Sequence, residues 1–258
     1  MASLRSRPAP NAMRRHRLHG AVAHDLAIEI VSGRLAPGEL LPREEDLGTR
    51  LRVSRTVVRE AVKMLGAKGL LQSRPRSGTR VAPREAWNLL DPDVLAWHLE
   101  AEPSRSFIQA IYELRRLVEP GAAAMAAERA SDQQLDPLRR AFQALATTAP
   151  GTSEDEAADI AFHASILQAS GNEAVLALLP VVTATLTWAV QLTAKNLQTA
   201  KRESLPIHRR LMERIVDRDP DGAQRACTEL ISRALGDTMR ALDARTALRA
   251  ACKPRSDT

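Results

Sequence analysis

The chain has 258 residues, enough for two domains that each bury their own core. Hydrophobic residues make up 44% of it and aromatic residues only 3%, so the cores must be built from Ala, Leu, Val and Ile, which favours helices over sheets. The net charge of +6 is unevenly placed: residues 1–83 hold 16 Lys/Arg against 7 Asp/Glu and the remainder 21 against 24, a division that suits a nucleic-acid-binding front joined to a rear that does not bind it, and not a uniformly charged enzyme.

Residues 1–18 are basic and lack an apolar core stretch, so they read as a flexible arm and not as a signal peptide. The first helix is expected over 19–32, with Val22, Leu26, Ile28, Ile30 and Val31 as its apolar positions and the Gly/Pro-rich stretch 32–38 as its end. From Leu41 to Leu71 the sequence predicts two short helices joined by a tight turn. Pro42 opens the first, and Glu44, Glu45 and Asp46 fill its first turn, where the helix dipole favours negative charge. Arg52 and Val53 form the turn, and Ser54 caps the second helix. Val57, Ala61 and Leu65 mark the buried side of that helix, leaving Arg55, Thr56 and Arg59 outward near its N-terminal end. That layout suits a recognition helix: Arg can bond a guanine edge bidentately, and Ser or Thr can reach bases or phosphates. Gly69 suits the helix end. Residues 70–72 and 79–81 then suit a short hairpin carrying Arg74, Arg76 and Gly78. The whole describes a winged helix over 19–83 that binds double-stranded DNA.

Residues 84–103 read as a linker with a short helix near Pro92, capped by Asp91 or Asp93. From 104 to 250 the chain is expected to be helical in about six segments, one of them a continuous helix over 172–198, forming an antiparallel bundle; 251–258 is a tail. The apolar run 174–192 approaches the length of a membrane span, but Pro180, three Thr and Gln191 interrupt it, so it is expected to be the central buried helix and not a span. Cys227 and Cys252, the only cysteines, imply a reducing cytosol and no disulfide framework. Asp159 and His163 are spaced to share one helix face, and His208 lies in line with apolar Leu211, Met212 and Ile215. These three suit either a divalent metal or a hydrogen-bonded Asp–His pair with an unrelated core histidine. Arg115 faces inward with Ile111 and Val118 and suits either an effector carboxylate or an internal pair with Glu119 one turn on.

The residues from Leu40 to Val81 follow the pattern LP.E..L...L.VSR..VREA...L...GL......G..V and resemble the GntR family of bacterial transcription regulators. The resemblance implies DNA contacts at Ser54, Arg55, Thr56 and Arg59 and a wing tip at 76–78. Glu45 stands where the FadR subgroup often carries a DNA-contacting Arg, and Arg43 becomes the substitute contact. YELRRLVEPGAAAMAAERA, the D..FH of Asp159 to His163, the SGN of Ser170 to Asn172, and His208 resemble the FCD ligand-binding domain of that subgroup. Its metal-binding members hold a divalent ion (Zn, Ni or Mn) with an Asp and three His beneath a carboxylate effector. The resemblance thus implies metal ligands at Asp159, His163 and His208 and effector contacts at Arg115 and Asn172, whereas Leu230 replaces the fourth ligand. WNLLDPDVLAWHLE and LVEP are similar to sugar-acid-operon members of the family. The implied protein is a cytoplasmic homodimeric repressor of sugar-acid catabolic genes. It would sit on a palindromic operator and be released by a small carboxylate. The rivals are a metal-dependent enzyme acting on a small carboxylate and a sequence-indifferent DNA packager.

Overall fold

The computed structural model describes residues 10–74, 77–193 and 197–251. The chain divides into two compact units, one ending at Pro103 and one beginning at Ser104.

The first unit holds α1 (Pro10–Val31), α2 (Glu44–Leu51), α3 (Arg55–Ala67), β1 (Leu71–Arg74), β2 (Gly78–Val81), a 3-10 turn at Arg84–Ala86, and α4 (Pro92–Glu100). Helix α1 starts earlier than the sequence suggested, inside the stretch read as an arm. Helix α2 begins two residues after Pro42, with Glu44, Glu45 and Asp46 in its first turn as expected. Arg52 ends it in the left-handed conformation (φ 55°), and Ser54 caps α3 by accepting from the Val57 N–H. Strands β1 and β2 pair antiparallel from Leu71↔Val81 to Arg74↔Gly78. Gly69 ends the α3 region at φ +79°, and a Cβ there would lie 2.0 Å from the Ala86 carbonyl oxygen, so no other residue fits.

Residues 84–103, expected as a linker, fold into this first unit. Trp87, Val94 and Trp97 join Leu26, Val58, Leu65 and Leu70 in one core, α4 packs on α1, and Asp91 caps α4. Lys68 ties the end of α3 to the α4 cap through Asp91 (2.7 Å) and Asp93 (2.8 Å). Apolar linker residues with so much area to hide join the nearest core instead of hanging in water.

The second unit is the expected helical bundle: α5 (Arg105–Arg129), α6 (Asp132–Thr147), α7 (Ser153–Ala169), α8 (Glu173–Leu176), α9 (Leu179–Thr193), α10 (Leu197–Val216) and α11 (Pro220–Ala251). Ser104, Ser131 and Thr152 cap α5, α6 and α7 with their side-chain oxygens. Helix α11 packs along α5 and α10, and α6 pairs with α7. Pro137 and Pro206 fall inside α6 and α10.

The continuous helix expected over 172–198 is two helices. Asn172 caps a separate single turn, the chain bends at 177–178, and Pro180 sits in the first turn of α9, where its missing N–H costs nothing. Nor is the run a buried centre. Val181, Val182, Leu186 and Trp188 are buried, but only 28% of Glu173–Val190 is. By length and composition alone that window could cross a membrane. Cys227 is a free thiol on α11, fully buried, and burial pushes its pKa up. Cys252 lies outside the described residues.

Candidate nucleic-acid face and candidate effector site

On the first unit, Arg55, Thr56 and Arg59 are exposed in the first turns of α3, and Arg43, just ahead of α2, is exposed as well. Ser54 is exposed, but its hydroxyl oxygen is already occupied by the cap. The Arg55 guanidinium pairs with Glu45, so the acid that replaces the subgroup's Arg lies against the recognition helix. Arg74 is exposed at the end of β1. Gly78 opens β2 at φ +80°, where a Cβ would crowd Leu40 at 2.9 Å. Arg76 lies outside the described residues. The described cations therefore occupy solvent-facing positions at the N-terminal end of α3 and on the hairpin, which is what phosphate and base-edge contact requires.

In the second unit a cavity of about 140 Å³ opens among α5, α7, α9, α10 and α11. Its wall includes Arg115, Asp159, His163, His208 and Leu230. The ligand atoms of Asp159, His163 and His208 lie within 4.8 Å of one another. Asp159 does not pair with His163, as one reading of the spacing had it. Its Oδ1 lies 3.1 Å from His208 Nε2, while His163 Nδ1 lies 2.7 Å from Glu119 Oε2. The other Glu119 oxygen accepts from Arg115 Nε at 2.6 Å. Arg115 thus makes the internal pair with Glu119 and also lines the cavity. Arg115 is 2% exposed, and its Nη1 is buried without a hydrogen-bond partner. Burial opposes ionisation of Glu119, but Arg115 and His163 outweigh it and hold the carboxyl at about 2.

His208 Nδ1 faces the Ser204 carbonyl oxygen at 3.0 Å; a carbonyl only accepts, so the proton is on Nδ1. In the neutral ring Nε2 is then bare and faces Asp159. Burial raises the Asp159 pKa, but the His208 contact and the charges that His163 and His208 carry when protonated, with Arg115, bring it down to about 2. A bare nitrogen and a carboxylate oxygen at 3.1 Å require a proton or a cation between them. Two imidazoles and a carboxylate form a donor set suited to Zn, Ni or Mn. Leu230, in the place of the expected fourth ligand, lines the same cavity and offers no donor.

Asn172 is elsewhere. Its Oδ1 accepts from the Ala174 and Val175 N–H groups as the cap of α8, and it is not part of the cavity wall. Glu119 escaped the sequence reading except as a possible partner of Arg115. Its contact with His163 bridges 44 residues and two helices, and no local spacing signals it.

A winged helix-turn-helix followed by a helical bundle with a part-enclosed cavity that sets Arg115, Asp159, His163 and His208 among apolar walls defines a DNA-binding protein with a sensing domain. Comparison with known proteins agrees. The family described as bacterial regulatory proteins, gntR family, matches residues 18–81, and the FCD domain matches residues 110–233. The galactonate operon transcriptional repressor of Escherichia coli (strain K12) is 35% identical over 208 residues, covering 80% of this chain and 90% of that protein. The Uxu operon transcriptional regulator of the same organism is 34% identical over 175 residues, covering 66% of this chain and 64% of that protein. A solved structure of Lar, which controls the expression of the Listeria monocytogenes agr system, aligns with a TM-score of 0.61 at 17% identity over 86% of this chain and 97% of that one, a likeness of fold. The chain belongs to the GntR family of transcription regulators, in the branch carrying an FCD domain, and is not an enzyme.

Proposed function

We propose that this regulator is a cytoplasmic homodimeric repressor of genes for sugar-acid catabolism, released from a palindromic operator when a small carboxylate enters the cavity of the second unit. The observation that carries the proposal is that Arg115, a residue of the wall of the cavity that also holds Asp159, His163 and His208, has a buried Nη1 with no hydrogen-bond partner. A buried guanidinium N–H with no acceptor is costly, and a carboxylate is the acceptor whose shape and charge match it. The sugar-acid class rests on the operons named for the two relatives. A homodimer places one recognition helix in each half-site, so operator symmetry mirrors protein symmetry.

Asp159, His163 and His208 would hold a divalent metal, which when bound supplies a fixed positive charge for an effector oxygen. Leu230 leaves one more coordination position for effector or water than a histidine there, as the fourth protein ligand, would. Arg115 binds and orients the carboxylate. Arg43, Arg55, Thr56, Arg59 and Arg74, together with the 76–78 wing tip, contact the operator. The effector acts through its different affinity for the DNA-competent and DNA-incompetent arrangements of the dimer.

The test is a footprint of the purified protein on the DNA flanking its own gene, repeated with galactonate and other aldonates and hexuronates. A symmetric protected site that is lost on adding one of these acids is expected. Protection that is sequence-independent, or a specific site that no such acid releases, would overturn the reading.

A further inference from the structure

We propose that Glu119 is the positioning residue of the metal and effector site: its two oxygens divide their work, one fixing Arg115 and the other fixing the proton of His163 on Nδ1, so that His163 offers a bare Nε2 to the cluster. The inference begins with burial. Glu119 is 1% exposed and Arg115 2%, so both side chains are withdrawn from bulk water. Oε1 accepts from Arg115 Nε at 2.6 Å, and Oε2 lies 2.7 Å from His163 Nδ1. A carboxylate only accepts, and therefore both facing nitrogens must donate. With its proton on Nδ1, the neutral His163 ring carries a lone pair on Nε2, the form a metal ligand needs.

The same geometry predicts what the isosteric amide does. Glutamine has one acceptor and one donor end. Arg115 can only donate, so the amide oxygen must turn to Arg115 and the NH₂ must face His163. His163 Nδ1 must then accept, which moves the ring proton to Nε2 and blocks the ligand atom. If Arg115 is also replaced by Met, nothing holds the amide oxygen, and it can return to His163. A single substitution breaks the site and a second restores it. A residue that merely filled space would give no such reversal, and one that only balanced charge would restore zinc affinity without moving the ring proton.

The experiment uses the metal-free full-length protein, selectively ¹⁵N-labelled at histidine, at a pH where the spectra show a single proton on the His163 ring. Ring tautomers are read by NMR and zinc affinity by calorimetry. In the unsubstituted protein His163 should carry its proton on Nδ1. Glu119→Gln should move it to Nε2 and weaken zinc by about 10–100-fold. Arg115→Met with Glu119→Gln should return the proton to Nδ1 and recover most of the zinc affinity. A wild-type proton on Nε2 overturns the proposal. So does undiminished zinc binding by Glu119→Gln, or a double variant as weak as the single one. If Glu119→Gln does not fold, the wild-type tautomer and the charge-balanced double variant decide. The zinc readout rests on the metal reading given above, but the tautomer does not. A wild type that binds no zinc yet shows the Nδ1 proton would refute the metal and leave the role of Glu119 standing.

Discussion

At the scale of single residues, two positions set what the site and the first unit can do. Leu230 is buried in the cavity wall where a fourth ligand would stand. Leu230→His should therefore tighten zinc or nickel, measured by calorimetry; unchanged affinity would show that position 230 does not face the ion. Asp91 makes a different kind of contact. Burial raises its pKa from the ordinary 3.8, but Lys68 and the backbone N–H groups of α4 outweigh that and lower it. A carboxyl that ionises more readily when folded adds stability above its unfolded pKa and loses it as pH falls. Melting of the first unit should then weaken below about pH 4. Asp91→Ala should remove that acid-sensitive part together with about 0.5–2 kcal/mol of capping.

At the scale of elements, the helix-turn-helix was legible because its signals are local. An acidic first turn, a Ser cap and an apolar spacing each act within a few residues. The break between α8 and α9 was not, because the apolar run of 174–192 continues across it and carries no local mark of the bend at 177–178. The shared face of Asp159 and His163 could be counted from spacing, whereas the bridge from Glu119 to His163 depends on how α5 meets α7. The recognition helix carries its own prediction. Arg55→Ala with Arg59→Ala should abolish operator binding and leave circular dichroism and melting unchanged, since both side chains are exposed. Glu45→Ala should release Arg55 from its ion pair and take an anion from the DNA face. Operator affinity should rise, and its salt dependence should steepen by about 0.9 in log–log slope if Arg55 gains one phosphate. Weaker binding in a gel-shift titration would mean that Glu45 orients Arg55 for DNA and does not hold it back.

At the scale of the whole molecule, two units with separate cores lead one to expect two melting transitions. Zinc or a sugar acid should raise only the transition of the unit after Ser104, by about 2.7 kcal/mol at free ligand a hundredfold above its Kd. Calorimetry in which both transitions move together would argue that the units unfold as one. Cys227 turns the same cooperative unit into a stopwatch. Its thiol is sealed on α11 and its ionisation is suppressed, so a thiol-specific dye can reach it only in the moments when the bundle opens. In a Cys252→Ser background the dye's uptake should time that breathing directly, and a bound acid should slow it.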